Sequence, residues 1–138
     1  SQQNELNEFP GSGSIVRMFL ASINQPRQLL VTRYIDIVTP EDLDRGVREL
    51  DELLSLLTPG FTLLVDLSQL TSMDAACASR IGTFMEHFTR AEIGRVVRVI
   101  PDASKDIGFN ILGAFHYPKE LPVANCVTFQ QAAKLLEP

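Results

Sequence analysis

The side chains best placed for chemistry lie where an apolar run meets a helical pattern. The run 61–67 contains Asp66 near its end, and Asp74 opens the helical pattern that continues with Ala75 and Ala76. Free backbone amides at a helix start stabilise negative charge, so such a junction favours a nucleophile or a bound anion. No hydroxyl follows Asp74, however, and no base pairs with it in the sequence. We therefore predict that Asp74 caps the helix and contributes to a binding surface, without a catalytic role.

Cys77 raises the possibility of an enzyme. A thiolate is favoured in the first turn of a helix, which makes a Cys77-based redox or hydrolytic enzyme one alternative. The spacing of Cys77 from Ile81, Phe84 and Phe88 places it on the apolar face of the same helix, where a thiol is normally buried and inert. Cys126 lies within a strand pattern, and the two cysteines lack CxxC spacing. We expect reduced thiols and no disulfide.

The remaining polar residues predict no metal or cofactor site. The two histidines, His87 and His116, lie in different elements and form no HExxH or H-x-E pattern. Neither has a partner in the sequence that would mark it as a general base. We therefore expect no metal, no cofactor and no enzymatic activity.

Composition excludes several classes of partner. The 138 residues fit one domain, and 45% apolar residues can form a core without a disulfide or a metal. The net charge of −5, with scattered basic residues, argues against nucleic acid and anionic membrane surfaces. No apolar stretch reaches the roughly 18 residues of a membrane span, and the N-terminus has no secretory pattern. A cytoplasmic location is expected.

The elements that position these residues alternate between strand and helix. Residues 1–14 are polar and rich in Gly and Ser, which predicts a flexible tail before one domain at 15–138. Pro26 predicts a hairpin turn, Thr39 a helix N-cap, and the apolar run a doubly buried central strand. The order ββαβαβαβα predicts an α/β domain with a mixed, mostly parallel sheet and packed helices. The strands are predicted at 15–23, 29–38, 61–67, 95–100 and 123–129, and the helices at 40–58, 74–90, 103–115 and 129–136.

Two motifs within this order resemble a known family. The strand ends in Val65-Asp66-Leu67-Ser68, and after a short loop Met73-Asp74-Ala75-Ala76-Cys77 opens the helix. STAS domains, named for sulfate transporters and anti-sigma factor antagonists, have a strand ending in Asp-Leu-Ser and a helix opening at Met/Ile-Asp-Ser-Ser-Gly. The C-terminal helix–loop–strand ending and its Ala132 also resemble this family, over about residues 28–136. The resemblance implies a STAS-like fold and a protein-interaction module.

The same resemblance implies that the usual switch is missing. In phosphorylated members, the serine after the aspartate accepts phosphate from a partner kinase that is also an anti-sigma factor, and the phosphate breaks the complex. Ala75 and Ala76 occupy the positions of the two serines here. We therefore expect a module that is not switched by phosphorylation at the usual position. Thr71, Ser72 and Ser79 are candidate substitute acceptors, and Ser79 lies one turn beyond Ala75.

The predicted function is a regulatory protein–protein interaction. The partner would be an anti-sigma-type kinase or another regulator, while the oligomeric state stays open. The predicted surface comprises the loop 68–73, the start of the helix 74–90 and the adjacent loops 36–41 and 101–104. Its partner-binding residues are predicted to be Ser68, Thr71, Ser72, Asp74, Ala75, Ala76 and Ser79.

A small-ligand sensor is the first alternative to this function. The ligand would be an apolar or anionic molecule bound at the helix start near Asp74. A pocket enclosed by Phe61, Phe84 and Phe109 would favour it. The Cys77-based enzyme is the second alternative.

Overall fold

Strands and helices alternate along the described part of the chain. The computed structural model describes residues 18–100 and 109–137. The predicted tail 1–14 and the predicted surface loop 101–104 lie outside these residues. The elements are β1 (Phe19–Asn24), β2 (Leu29–Tyr34), β3 (Asp36–Val38), α1 (Pro40–Leu54), β4 (Thr62–Asp66), β5 (Leu70–Met73), α2 (Cys77–Arg90), β6 (Arg95–Val99), α3 (Phe109–Ala114), β7 (Val123–Cys126) and α4 (Phe129–Leu135).

The main sheet has five strands in the order β1-β2-β4-β6-β7. β1 is antiparallel to β2, and the other three pairings are parallel, which confirms the predicted mixed, mostly parallel sheet. A short 3₁₀-helix, Gln25–Arg27, closes the β1–β2 hairpin around Pro26. β4 lies between β2 and β6, so the apolar run forms the central strand, as predicted.

Helices cover the two faces of this sheet unequally. One face packs against α1, α2 and α3 around a large core that includes Leu63, Val65 and Phe84. The other face has a smaller core of Leu64, Val97, Val99, Cys126 and Ala132, of which Ala132 comes from α4. Successive β4 residues alternate between the two cores because strand side chains point to opposite faces. Among the helices of residues 18–100 and 109–137, none combines the length and the hydropathy of a membrane span.

The predicted single strand 29–38 is wrong in detail, because the chain leaves the main sheet after Tyr34. Asp36 has a φ of 58°, a left-handed conformation that a short polar side chain tolerates. β3 then pairs in parallel with β5 as a separate two-stranded sheet, called the ribbon below. Residues 70–73, which were predicted as loop, therefore form a strand. Such short strands carry too few residues for a periodic signal.

The start of α1 agrees with the prediction, whereas the start of α2 does not. Thr39 caps α1 as predicted: its hydroxyl accepts a hydrogen bond from Asp42 N at 3.2 Å. The helix predicted at 74–90 begins three residues later, at Cys77. The turn before it is wound more tightly, with Cys77 N donating to Asp74 O and Ala78 N donating to Ala75 O. These i→i+3 bonds are typical of 3₁₀ geometry at a helix end.

Candidate functional site

The turn between β5 and α2, residues 74–76, is exposed to solvent. Asp74, Ala75 and Ala76 are all exposed. The Asp74 carboxylate accepts a hydrogen bond from Ala76 N at 2.8 Å, two residues on, which is the bond expected of a capping aspartate. The residue that directly precedes the α-helix, however, is Ala76, which makes no side-chain cap. Asp74, the predicted cap, therefore shapes the turn from two residues before the observed cap position.

The ribbon brings the start of α1 close to this turn. Thr71 is exposed and Ser72 half-buried in β5, and Ser72 lies opposite Ile37 of β3. Ile37 is 56% exposed, which is unusual for a large apolar side chain at such a position. Ile37 lies within the segment 36–41 of the predicted surface, but it was not named among the partner-binding residues, since the sequence places it in the regular alternation of a strand.

Ser79 and Arg80 extend the same surface along α2. Ser79 is exposed, and its hydroxyl lies 3.4 Å from Ala76 O. The Arg80 guanidinium donates to Asp44 of α1 at 3.2 Å, and this bond raises the pKa of Arg80. Of the predicted substitute acceptors in α2 and the ribbon, Ser79 and Thr71 are exposed, and Ser72 is less accessible.

Ser68 is engaged in a different cluster. Asp66 Oδ1 accepts hydrogen bonds from Ser68 N at 3.0 Å and from Ser68 Oγ at 2.6 Å. Arg33 Nε lies 3.8 Å from Asp66 Oδ2, and the Arg33 guanidinium lies 4.9 Å above the Phe129 ring of α4. Through Arg33 the cluster contacts α4, which covers the sheet face opposite α2. The structure thus does not bring the Ser68 hydroxyl together with Asp74.

Cys77 is buried beneath the turn. Its side chain has no exposed surface, and Sγ donates to Val38 O of β3 at 3.6 Å. Burial, reinforced by the Asp74 carboxylate, raises the pKa of the thiol from 9.0 to about 11. A protonated, inaccessible thiol is a poor nucleophile. This environment favours the inert core thiol over the Cys77 enzyme.

Two of the three residues of the predicted ligand pocket are packed in the core. Phe61 and Phe84 are 1% and 0% exposed, and neither lines a groove found among the described residues. The Phe109 side chain lies outside the described part. An open groove of about 580 Å³ lies instead between α2 and the end of α3. Within 18–100 and 109–137, no cluster of three histidine, cysteine or carboxylate side chains could hold a metal ion.

Comparisons with known proteins find similarity in structure. No protein-family model matches the chain, and no curated protein matches it significantly in sequence. One similar structure is an uncharacterised DUF3478-family protein with a SpoIIAA-like fold from Shewanella loihica PV-4. It has a TM-score of 0.63 and 16% identity, and the match covers 92% of this chain and 100% of that one.

A second similar structure is the anti-sigma factor antagonist SpoIIAA in its unphosphorylated form. Its TM-score is 0.59 at 14% identity, and the match covers 86% of this chain and 96% of SpoIIAA. Identities this low show a common fold and leave function to be argued from the residues. The chain therefore has the SpoIIAA-like, STAS-type fold that its sequence motifs predicted.

Proposed function

We propose that this chain is a regulatory protein-interaction module of the anti-sigma-antagonist type, and that it acts in the cytoplasm. Its partner would bind the junction surface, defined here as the ribbon, the turn 74–76 and the first turn of α2. The observation that carries this proposal is the exposure of the turn Asp74–Ala76, which directly precedes α2. The similarity in fold to SpoIIAA, which is named as an anti-sigma factor antagonist, supports it.

The chemistry of the junction surface supports binding over catalysis. The Asp74 carboxylate is used by a backbone amide, and Cys77 is protonated and buried. Ala75 and Ala76 present only methyl groups beside it. Exposed Ile37 adds a large apolar side chain to these methyl groups, beside the polar Asp74 and Thr71, and such a combination is found at protein interfaces.

Regulation at this surface would not use the usual phosphorylated serine. Neither Ala75 nor Ala76 can accept phosphate. If phosphorylation controls the partner, Ser79 is the better placed substitute, since its hydroxyl is exposed in the first turn of α2. Thr71 is also exposed, but it lies in the ribbon, away from the helix amides that stabilise a phosphate.

A matched pair of alanine-to-arginine variants tests the proposed surface. Ala75 lies on the turn, and Ala133 is exposed on α4, across the sheet. Immobilised wild-type protein and the Ala133→Arg variant should retain the same protein from a lysate of the source cells, and Ala75→Arg should lose it. Mass spectrometry identifies the retained protein, and purified partner then gives the dissociation constants.

The opposite pattern would contradict the proposal. Loss of the retained protein with Ala133→Arg, and its retention with Ala75→Arg, would place the interface on the α4 side of the sheet. If the retained protein is a kinase, it should phosphorylate Ala75→Ser on the new hydroxyl. A Ser79→Ala background keeps that signal distinct from phosphorylation of the candidate substitute.

A further inference from the structure

The groove between α2 and α3 has the size and composition of a small-ligand site. Its volume of about 580 Å³ falls within the range of known ligand pockets, roughly 300–1,000 Å³. Met85 and Ala114 contribute apolar surface to it, and Glu86, Arg90 and His116 contribute polar groups. It is distinct from the junction surface, because no ribbon or turn residue lines it.

A glycine lines this groove, and no packing contact among the described residues requires it. Gly82 lies within α2, where glycine costs about 1 kcal/mol relative to alanine. In α1, by contrast, a Cβ at Gly46 would lie 2.6 Å from the Phe19 ring, so that glycine is required by the core. A Cβ at Gly82 would meet nothing within 4 Å. The space beside Gly82 is therefore available to a molecule that approaches the α2 backbone from outside.

The titratable side chains that line the groove are unpaired within the described residues. Glu86, Arg90 and His116 form no hydrogen bond or ion pair there, whereas Arg80, on the same helix, is held by Asp44. Arg90 and His116 provide hydrogen-bond donors, and Arg90 is always charged. Glu86 lies one turn from Arg90 and opposes an anion. Among the described lining residues, the Arg90 guanidinium and a ring N–H of His116 can both donate to one negative group, which favours a ligand that carries such a group.

We propose that this groove binds a small apolar anion, such as an aromatic or aliphatic carboxylate. Its apolar body would lie against Gly82, Met85 and Ala114, and its carboxylate would accept hydrogen bonds from Arg90 and His116. This site is independent of the proposed junction surface, so either proposal can fail without the other. Its physical basis is apolar contact over an open backbone together with a charge-assisted bond.

Three naphthalene probes of equal size test the charge requirement. Titration of ¹⁵N-labelled protein with 2-naphthoate should shift the amides of 82–90 and 113–117 saturably. The uncharged 2-naphthalenemethanol should bind about tenfold more weakly, equivalent to one lost charge-assisted bond. The cationic 2-naphthylmethylammonium should bind more weakly still. Equal affinities for the three probes, or shifts confined to other regions, would overturn the proposal.

Three variants test the assigned residues. Gly82→Leu should fill the groove and abolish binding while the protein stays folded, because its Cβ meets nothing and leucine favours helix. Arg90→Gln should weaken 2-naphthoate binding about tenfold, and Glu86→Gln should tighten it. Arg48→Gln, an exposed arginine on α1 outside the groove, should change nothing. Unchanged binding by Gly82→Leu would exclude the groove as the site.

Discussion

The two strands of the ribbon lead into the two long helices through junctions of opposite character. At the first, Thr39 and Asp42 exchange hydrogen bonds in a capping box, and Pro40 begins α1. At the second, Asp74 makes a single side-chain bond and is followed by two exposed alanines before α2. One junction is closed by its own side chains, and the other leaves its backbone accessible.

The first junction therefore stabilises the fold, whereas the second is a candidate surface for recognition of a partner. The Asp42 carboxylate is nearly buried and accepts hydrogen bonds from Thr39 N, Thr39 Oγ and Arg45. The second junction carries no such network, yet it is anchored from below, because Cys77 Sγ donates to Val38 O next to Thr39. A turn that is anchored from below and exposed above is suited to bind a partner, since an anchored segment loses little conformational freedom on binding.

The largest expected effect concerns the anchor beneath the open junction. At pH 8, native Cys77 should react with iodoacetamide about 100-fold more slowly than the unfolded chain, because the raised pKa reduces the thiolate and burial blocks access. A Cys126→Ala background leaves Cys77 as the reporting thiol. Native and unfolded rates within threefold of each other would show that the turn opens readily.

The same thiol predicts a decline in stability at alkaline pH. The unfolded thiol ionises near pH 9 and the folded thiol near pH 11. The stabilisation is therefore fully present below pH 9 and is lost as the pH rises toward 11. The loss should be smaller in Cys77→Ala than in the wild type when urea unfolding is followed from pH 8 to pH 11.

Removing the capping box of the first junction should have the next largest effect, a loss of stability. Asp42→Ala removes an acceptor for Thr39 N and Thr39 Oγ and should lower the free energy of unfolding by about 2 kcal/mol. Asp44→Ala on the same helix is the matched control. It breaks only the exposed pair with Arg80 and should cost less than about 0.5 kcal/mol. Equal losses in urea unfolding would contradict the assigned role of Asp42.

Removing the side chain of the open junction should cost less. Asp74→Ala removes one acceptor from an exposed turn and should lower the free energy of unfolding by about 1 kcal/mol. Asp74→Ser keeps an oxygen in reach of Ala76 N and should recover most of that loss. A loss as large as that of Asp42→Ala would mean that the two junctions are equally structural.

A proline in the second junction, as in the first, should have the smallest effect on stability. Ala75→Pro copies the Thr39-Pro40 pair by placing proline directly after the capping residue, and should raise the free energy of unfolding by about 0.5 kcal/mol. Ala133→Pro within α4 is the contrasting control and should destabilise. A net loss with Ala75→Pro, measured by urea unfolding, would show that the turn cannot accept the fixed proline φ.

Most of the main sheet followed from local patterns. The apolar run at β4 predicted a central strand. In α1, Leu43, Val47, Leu50 and Leu54 recur at spacings of four, three and four, which indicates one apolar face, and all four contribute to the larger core. These signals are strong because a strand buried on both faces and an amphipathic helix each impose a regular pattern on the sequence. The ribbon could not be predicted in the same way, since β3 has only three residues and departs from β2 at a left-handed Asp36.

The sequence predicted which chemical groups the candidate site contains, but only partly which of them lie together. The sequence itself shows that Ala75 and Ala76 lack hydroxyls and that Asp74 can cap a turn. It grouped Ser68 with them because these residues are close along the chain. The Ser68 hydroxyl instead bonds to Asp66, since the strand alternation directs Asp66 toward the α4 side of the sheet.

Sequence alone determined the type of fold, the order of its main elements and the absence of a phosphoacceptor after Asp74, because residue identity and local periodicity set these properties. Tertiary structure decided the exposure of Ile37, the burial of Cys77 against Val38, the pairing of His87 with Asp51 and the groove between α2 and α3. Each of these depends on segments distant in the chain that meet only when the helices pack. Local preferences carry no information about which distant side chains will meet.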